Sequence, residues 1–225
     1  MSVNPMLELR GISKRYGAVQ ALRDVSVQIQ QGQIHALVGE NGAGKSTLGK
    51  IISGIVRPDQ GQHLVEGKAV HYASPRDALA DGVTTITQEI ALTSKQTVLQ
   101  NVLLGQESNR FGVLNGRSML EKFEQVRELT GFDLPPNIKV NTLRLADQKK
   151  VEVMQAIARN ARLIIMDEPT AMLADDDTEV FLETVRRLKA TGYTIVYVSH
   201  FLEEVLSIAD TVTIMRNGEI IRTAS

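Results

Sequence analysis

Gly39-Glu40-Asn41-Gly42-Ala43-Gly44-Lys45-Ser46-Thr47 is the stretch on which the reading of this chain turns. It fits the pattern G-x-x-x-x-G-K-[ST] of a phosphate-binding loop. Immediately before it, Ile34-His35-Ala36-Leu37-Val38 reads as a short buried strand. Immediately after it, Leu48, Ile51 and Ile52 fall at helical spacing over Leu48 to Ser53. Strand, glycine loop and helix in that order are the context the motif needs. The glycines let backbone N–H groups turn inward around phosphate oxygens, and the helix start adds its positive dipole end. In such a loop Lys45 bridges the β- and γ-phosphates of a nucleoside triphosphate, and the Ser46 hydroxyl ligates Mg²⁺.

Upstream, Leu7 to Arg10 reads as a strand, and Gly11 to Gly17 as a turn-rich connection. Val25 to Ile29 alternates and reads as a half-exposed strand closed at Gln30-Gln31-Gly32, so the opening is expected to be antiparallel. Tyr16 stands where an aromatic ring can stack on an adenine face, with Val19 beneath it. Spacing alone favours an ordinary core or surface tyrosine over that role.

Downstream, Gln62 to Glu66 and Lys68 to Tyr72 are expected to be short strands around Gly67, and Ser74-Pro75 opens a short helix. Val83 to Thr87 is β-branched and reads as a strand that delivers Gln88 at its end. Residues 97–160 change character. Helical patterns cover 97–104, 119–129 and 148–159, broken at Pro135-Pro136-Asn137, and predict an all-helical inserted subdomain. The β/α pattern then resumes. Leu163 to Met166 is a continuous apolar run, as expected of a strand buried on both faces, and it ends in Asp167-Glu168-Pro169-Thr170. A helix over 176–189, a strand over 194–198 and a short helix over 201–208 follow. Asn217-Gly218 then joins strands at 211–215 and 219–222. The fold class expected is α/β. It has a P-loop NTPase core with a mainly parallel sheet (1–96 and 161–225), an antiparallel N-terminal β-subdomain and the helical insert 97–160, all within one domain.

Ligands of open α/β sheets bind at the carboxyl ends of the strands. Three such ends carry polar residues here: Gln88, Asp167-Glu168 and Ser199-His200. An apolar strand closing in Asp orients Mg²⁺, and Glu168 beside it is placed to polarise the water that attacks the γ-phosphate. Gln88 can reach the Mg²⁺ shell and that water. His200 can hold the γ-phosphate, the water and Glu168 in register. The candidate site is thus Lys45, Glu168 and His200 for catalysis, with Ser46, Gln88 and Asp167 at the metal. Tyr16, Val19, Gln88 and the loop residues Gly39, Glu40, Asn41, Gly42, Ala43, Gly44, Lys45, Ser46 and Thr47 hold the nucleotide.

Bulk composition narrows the alternatives. With 43% hydrophobic residues over 225, the chain can bury a sizeable core. A net charge of −1 offers no global attraction for nucleic acid, so no such partner is expected. Cysteine is absent, which removes disulfides and thiolate metal sites. No apolar run approaches the roughly 18 residues of a membrane span, and no signal segment opens the chain. The expectation is a cytoplasmic protein.

Taken together, Tyr16, the loop Gly39–Thr47, Gln88, the Leu163–Glu168 strand end and His200 resemble, in that order, the nucleotide-binding subunit of an ABC transporter. The resemblance covers essentially the whole chain. Gly39-Glu40-Asn41, Gln88-Glu89, Asn101 to Gly105 and Val151-Glu152-Val153 look like the sugar importers, especially those with two ATPase halves fused in one chain, of which this would be the first. The resemblance implies hydrolysis of ATP with Mg²⁺, coupled to transmembrane permease subunits on the inner face of the plasma membrane. It also implies a solute-binding protein and either a second ATPase half or a homodimer. One segment departs from the family. Its signature, Leu-Ser-Gly-Gly-Gln or Leu-Ser-x-Gly-(Asp)-Gln in the sugar branch, falls on Leu143-Arg144-Leu145-Ala146-Asp147-Gln148, so Arg144 stands for the serine and Ala146 for the close-approach glycine. Ala171-Met172-Leu173-Ala174 likewise places Ala174 where the family has an inter-subunit aspartate. The expectation is a half that keeps an intact phosphate loop but offers a poor signature to its partner, hence two unequal composite sites, and weak hydrolysis where this chain pairs only with itself.

Overall fold

A computed structural model describes residues 5–106, 109–110, 113–114 and 116–225. The first third of the chain forms β1 (Leu7–Tyr16), β2 (Val19–Ile29), β3 (Ile34–Val38), α1 (Lys45–Ile52), β4 (Gln60–Val65), β5 (Lys68–Ala69), α2 (Pro75–Ala80) and β6 (Val83–Ile86). The middle holds α3 (Val98–Val102), β7 (Asn109–Arg110), β8 (Val113–Leu114), α4 (Gly116–Thr130) and α5 (Leu145–Ala158). The last part returns to β9 (Leu163–Asp167), α6 (Asp175–Ala190), β10 (Thr194–Val198), α7 (Leu202–Ile208), β11 (Thr211–Arg216) and β12 (Glu219–Ala224).

The strands form a six-stranded sheet in the order β12-β11-β3-β10-β9-β6 and a four-stranded sheet in the order β2-β1-β4-β5. In the larger sheet every pairing is parallel except β11 with β12. In the smaller one every pairing is antiparallel. The α/β class, the parallel core and the antiparallel opening are as the sequence predicts.

The period of two along each parallel strand explains how one sheet serves two cores. Ile164 and Met166 of β9 and Ile195 and Tyr197 of β10 pack with Phe123, Val151 and Met154 from the helical segment. Leu163, Ile165, Val196 and Val198 point the other way, toward α1 and the smaller sheet. All eight of these strand residues are at 0% exposure, and burying each such side chain contributes about 1.5–3 kcal/mol.

Three expectations need correction. Gly11 to Gly17 is not a connection: it continues β1 to Tyr16, through register shifts between Leu9 and Arg15. Bulges absorb turn-prone residues such as Gly11, at φ +63°, without ending a strand, so the local turn signal misleads. For the same reason β2 begins at Val19, well before the clean alternation at Val25. The inserted segment is not all helical, because β7 and β8 pair antiparallel within it. Residues 1–4, 107–108, 111–112 and 115 of the expected units lie outside the described residues.

Candidate functional site

Parallel strands put their carboxyl ends on one edge. Leu37 of β3 pairs with Val198 of β10, which in turn pairs with Asp167 of β9, and Ile86 of β6 pairs with Met166. The phosphate loop, Gln88, the Asp167-Glu168 pair and His200 therefore leave the sheet side by side, although their positions span most of the sequence.

The loop is shaped by its glycines and by what presses on it. Gly39 is at φ +155°, and a side chain there would run into the Met215 carbonyl oxygen of β11. Gly44 is at φ +104°, with the Ala21 carbonyl oxygen 2.8 Å from where a Cβ would sit. Both positions are closed to other residues by conformation and by contact. The loop is also tied down. Gly218 N–H donates to the Ala43 carbonyl at 3.1 Å, and Arg23 N–H donates to Gly218 O at 2.8 Å. The β11–β12 turn, legible in the sequence only as a hairpin signal, is thus a buttress of the loop.

Lys45, at 5% exposure, donates from Nζ to the carbonyls of Gly39 at 2.7 Å and Glu40 at 3.1 Å. Its ammonium is held across the loop mouth. Ser46 Oγ donates to Asp167 Oδ1 at 3.2 Å. Burial raises the Asp167 carboxyl above the ordinary aspartate value, with the Ser46 hydrogen bond and the Lys45 and Lys50 charges opposing the rise. A half-buried carboxylate beside a hydroxyl is a hard-oxygen donor set, which fits Mg²⁺.

Glu168 adopts φ +47°, rare for a residue with a side chain, and its N–H donates to the Val198 carbonyl at 2.9 Å. Its Oε1 lies 3.2 Å from His200 Nδ1. A carboxylate only accepts, so we assign the ring proton to Nδ1, which leaves Nε2 for a substrate partner. The 37° tilted contact between the His200 and Phe201 rings, 4.1 Å between centroids, steadies the imidazole.

A cleft of about 530 Å³ is lined by Val19, Gln20, Ala21, the stretch Asn41–Thr47, Gln88 and Glu168. Its walls bring together most of the predicted residues. Asp167 joins through Ser46, and His200 through Glu168. Tyr16 stands apart. It pairs with Val19 at the β1–β2 turn, the residue is 46% exposed, and Lys14 Nζ lies 5.6 Å from the ring centroid.

Residues singled out only as departures are now visible. Leu145 begins α5 and Arg144 precedes it with extended backbone and no side-chain cap. The Arg144 side chain is 74% exposed, with Nε 3.5 Å from Asp147 Oδ2. Ala146 is buried. Ala174 occupies the cap position of α6, again without a side-chain bond to the helix start.

Lys149, one turn into α5, has no part in the sequence reading, and Glu152 enters it only within Val151-Glu152-Val153, without a structural role. Lys149 Nζ donates to the Thr87 carbonyl at 2.6 Å and to Glu152 Oε2 at 3.0 Å, and Glu152 Oε1 accepts from Ala91 N–H at 2.8 Å. They hold both ends of the segment that carries Gln88. An i, i+3 pair of opposite charges looks like any solvated helix face until the fold buries it.

Among solved structures, the fold matches a nucleotide-free ATP-binding cassette from an ABC transporter with a TM-score of 0.88 at 28% identity, over 98% of this chain and 91% of that one. The ADP conformation of an ATP-binding cassette of an ABC transporter matches with 0.88 at 29%, over 98% and 91%. The chain is 39% identical over 221 residues to a ribose import ATP-binding protein of Escherichia coli O157:H7, covering 98% of this chain and 44% of that one. It is 41% identical over 222 residues to an arabinose import ATP-binding protein of Yersinia pestis, covering 98% and 42%. The chain thus spans less than half the length of these curated relatives. A family model described as ABC transporter matches residues 22–171. That span exceeds half of the chain and contains both the phosphate loop and the Asp167-Glu168 strand end, so the chain belongs to the ABC transporter family.

Proposed function

We propose that this chain is an ATP-binding unit of an ABC importer, coupling the binding and hydrolysis of Mg-ATP to uptake of a sugar or a similar polar solute. One observation carries the reading: the phosphate loop, the Ser46–Asp167 pair and the Glu168–His200 pair meet at one sheet edge. Lys45 provides a fixed ammonium with two of its three donors already anchored on loop carbonyls. Ser46 and Asp167 would hold Mg²⁺, with Gln88 beside them; the ion supplies charge neutralisation at the phosphates. Glu168 is held by its backbone to β10 and by His200 at its carboxylate, a posture suited to accepting a proton from an attacking water. His200 orients Glu168 and keeps Nε2 free for phosphate.

The names of the ribose and arabinose import relatives support the solute class. In this reading residues 1–96 and 161–225 bind nucleotide and 97–160 present the signature to a second ATPase half or a second copy. Transmembrane permease subunits hold the chain at the inner face of the plasma membrane, and a solute-binding protein delivers the cargo. No helix among the described residues is long and apolar enough to cross a membrane. A second reading, a nucleotide-gated module with little hydrolysis, is favoured only by Arg144, Ala146 and Ala174.

ATP turnover by the full transporter tests the proposal. Replacing Glu168→Gln should abolish turnover while leaving ATP binding intact. Unchanged turnover in that variant would remove Glu168 as base and sink the mechanism.

A further inference from the structure

Glu204 lies on α7, outside the phosphate-loop cleft, yet it is the meeting point of hydroxyls from the two strand ends that carry Glu168 and His200. Thr170 Oγ1 lies 2.9 Å from Glu204 Oε1 and 2.8 Å from Oε2. Tyr197 OH donates to Oε2 at 2.7 Å, and Ser199 Oγ approaches it at 3.5 Å. The donors are buried, with Thr170 at 4%, Tyr197 at 0% and Ser199 at 1% exposure. Thr170 follows Glu168 by two residues, and Ser199 immediately precedes His200.

These bonds close a ring. Glu168 N–H is fastened to Val198 O of β10. Thr170 is fastened through Glu204 to Tyr197 and Ser199, also on or next to β10. Glu168 Oε1 then meets His200 Nδ1, which completes the circuit. A residue at φ +47° persists only where its surroundings over-determine it, and this circuit is such a surrounding. A carboxylate suits the hub, because an ionised acid accepts from several hydroxyls and donates to none.

We infer that Glu204 is a positioning residue: by gathering Thr170, Tyr197 and Ser199 on one carboxylate, it fixes the Glu168 loop against the His200 strand end and sets the Glu168–His200 hydrogen bond. Burial among these partners also raises the Tyr197 hydroxyl well above the ordinary tyrosine range, so it stays a donor at any physiological pH. The functional meaning of the brace rests on the proposed hydrolytic role of Glu168. Its geometry does not.

The test therefore has a spectroscopic arm and a kinetic arm. In the chain with ¹⁵N-labelled histidine, the four imidazoles are His35, His63, His71 and His200, and His200→Gln assigns the last. Glu204→Ala and the near-isosteric Thr170→Val should each move the His200 ring resonances and leave those of His35 and His63 in place. Thr170→Ser, which restores the hydroxyl, should return them. Leu206→Ala, on the same helix at 78% exposure, should do nothing. If Glu204→Ala does not fold, the Thr170→Val and Thr170→Ser pair decides alone. Unmoved His200 resonances in folded Thr170→Val or Glu204→Ala, or an equal shift in Leu206→Ala, would overturn the inference. In the full transporter, Glu204→Gln should lower kcat roughly ten- to a hundredfold with KM for ATP little changed. If the unsubstituted transporter hydrolyses no ATP, the proposed function fails, while the ring resonances still judge the brace. If the transporter hydrolyses ATP and Glu204→Gln leaves kcat unchanged, the brace fails on its own.

Discussion

Lys149 and Glu152 form an ion pair, Nζ to Oε2 3.0 Å, with side chains only 2% and 6% exposed, and between them they grip Thr87 and Ala91 on either side of Gln88. Two charges out of water are favourable only when further hydrogen bonds accompany the pair, and here the Thr87 carbonyl and the Ala91 N–H supply one to each partner. The helix that begins at Leu145 is thereby joined to the strand end that lines the cleft.

Breaking that pair from one side leaves a buried charge alone. Lys149→Met should lower unfolding free energy by about 3–5 kcal/mol, and adding Glu152→Leu should restore part of the loss. Denaturant unfolding of the two variants measures the coupling. Additive losses would mean that the pair is not a unit.

The loop glycines should differ sharply. Gly39→Ala drives a Cβ into the Met215 carbonyl, so the loop or β11 must move. Gly42, at φ +82°, has nothing within 4 Å of the added atom, so Gly42→Ala brings only conformational strain, about 1–2 kcal/mol. ATP affinity, read with a fluorescent analogue, should fall at least roughly tenfold further for Gly39→Ala than for Gly42→Ala, a difference of about 1.4 kcal/mol.

Arg144→Ser with Ala146→Gly should raise ATP turnover of the full transporter, because a short hydroxyl and an open backbone replace an exposed guanidinium and a Cβ. The helix itself needs neither residue to start, since α5 already begins at Leu145. Unchanged turnover would show that this signature was never limiting. At the α6 cap the same logic applies to stability alone. Ala174→Asp should add about 0.5–2 kcal/mol by capping a helix start that no side chain now caps.

The stability of the chain should fall in acid through its buried histidines. Burial lowers His35 and His63 from 6.5 to about 4. His35 receives Gln33 Nε2 at 3.2 Å on Nδ1 and donates from Nε2 to Thr213 at 2.8 Å, which needs the neutral ring. Above pH 6.5 both rings are neutral in either state, and this contribution is fully present. As pH falls from 6.5 toward 4, the unfolded chain takes up protons that the folded one refuses. Stability then drops by up to about 1.4 kcal/mol per pH unit for each histidine. Unfolding midpoints across that window check the slope, and His35→Gln should reduce it.

Local physics made the centre of this molecule readable. Gly39 to Thr47 is confined to its own conformation by its glycines, and Leu163 to Met166 announces a strand buried on both faces through apolarity alone. The parallel order followed from strands alternating with helices. What stayed hidden depends on contacts across the fold. Gly11 reads as a turn because a bulge differs from a turn only in what lies beside it. Gly218 reads as a hairpin residue until Ala43 is seen against it. Nothing local marks Lys149, Glu152 and Glu204 as partners in such contacts, since the sequence carries helical spacing but not which face meets another element.

The strand order also sets a schedule. β3, which delivers the phosphate loop, has β10 and β11 as its two neighbours, and both come from residues beyond 193. While the ribosome has released only the first 190 residues, the loop is already synthesised but its strand has neither flank. Pairings so distant in sequence are slow to form. Nucleotide capture by a nascent chain should therefore switch on abruptly, once the segment through Arg216 has cleared the exit tunnel, and not grow in step with chain length.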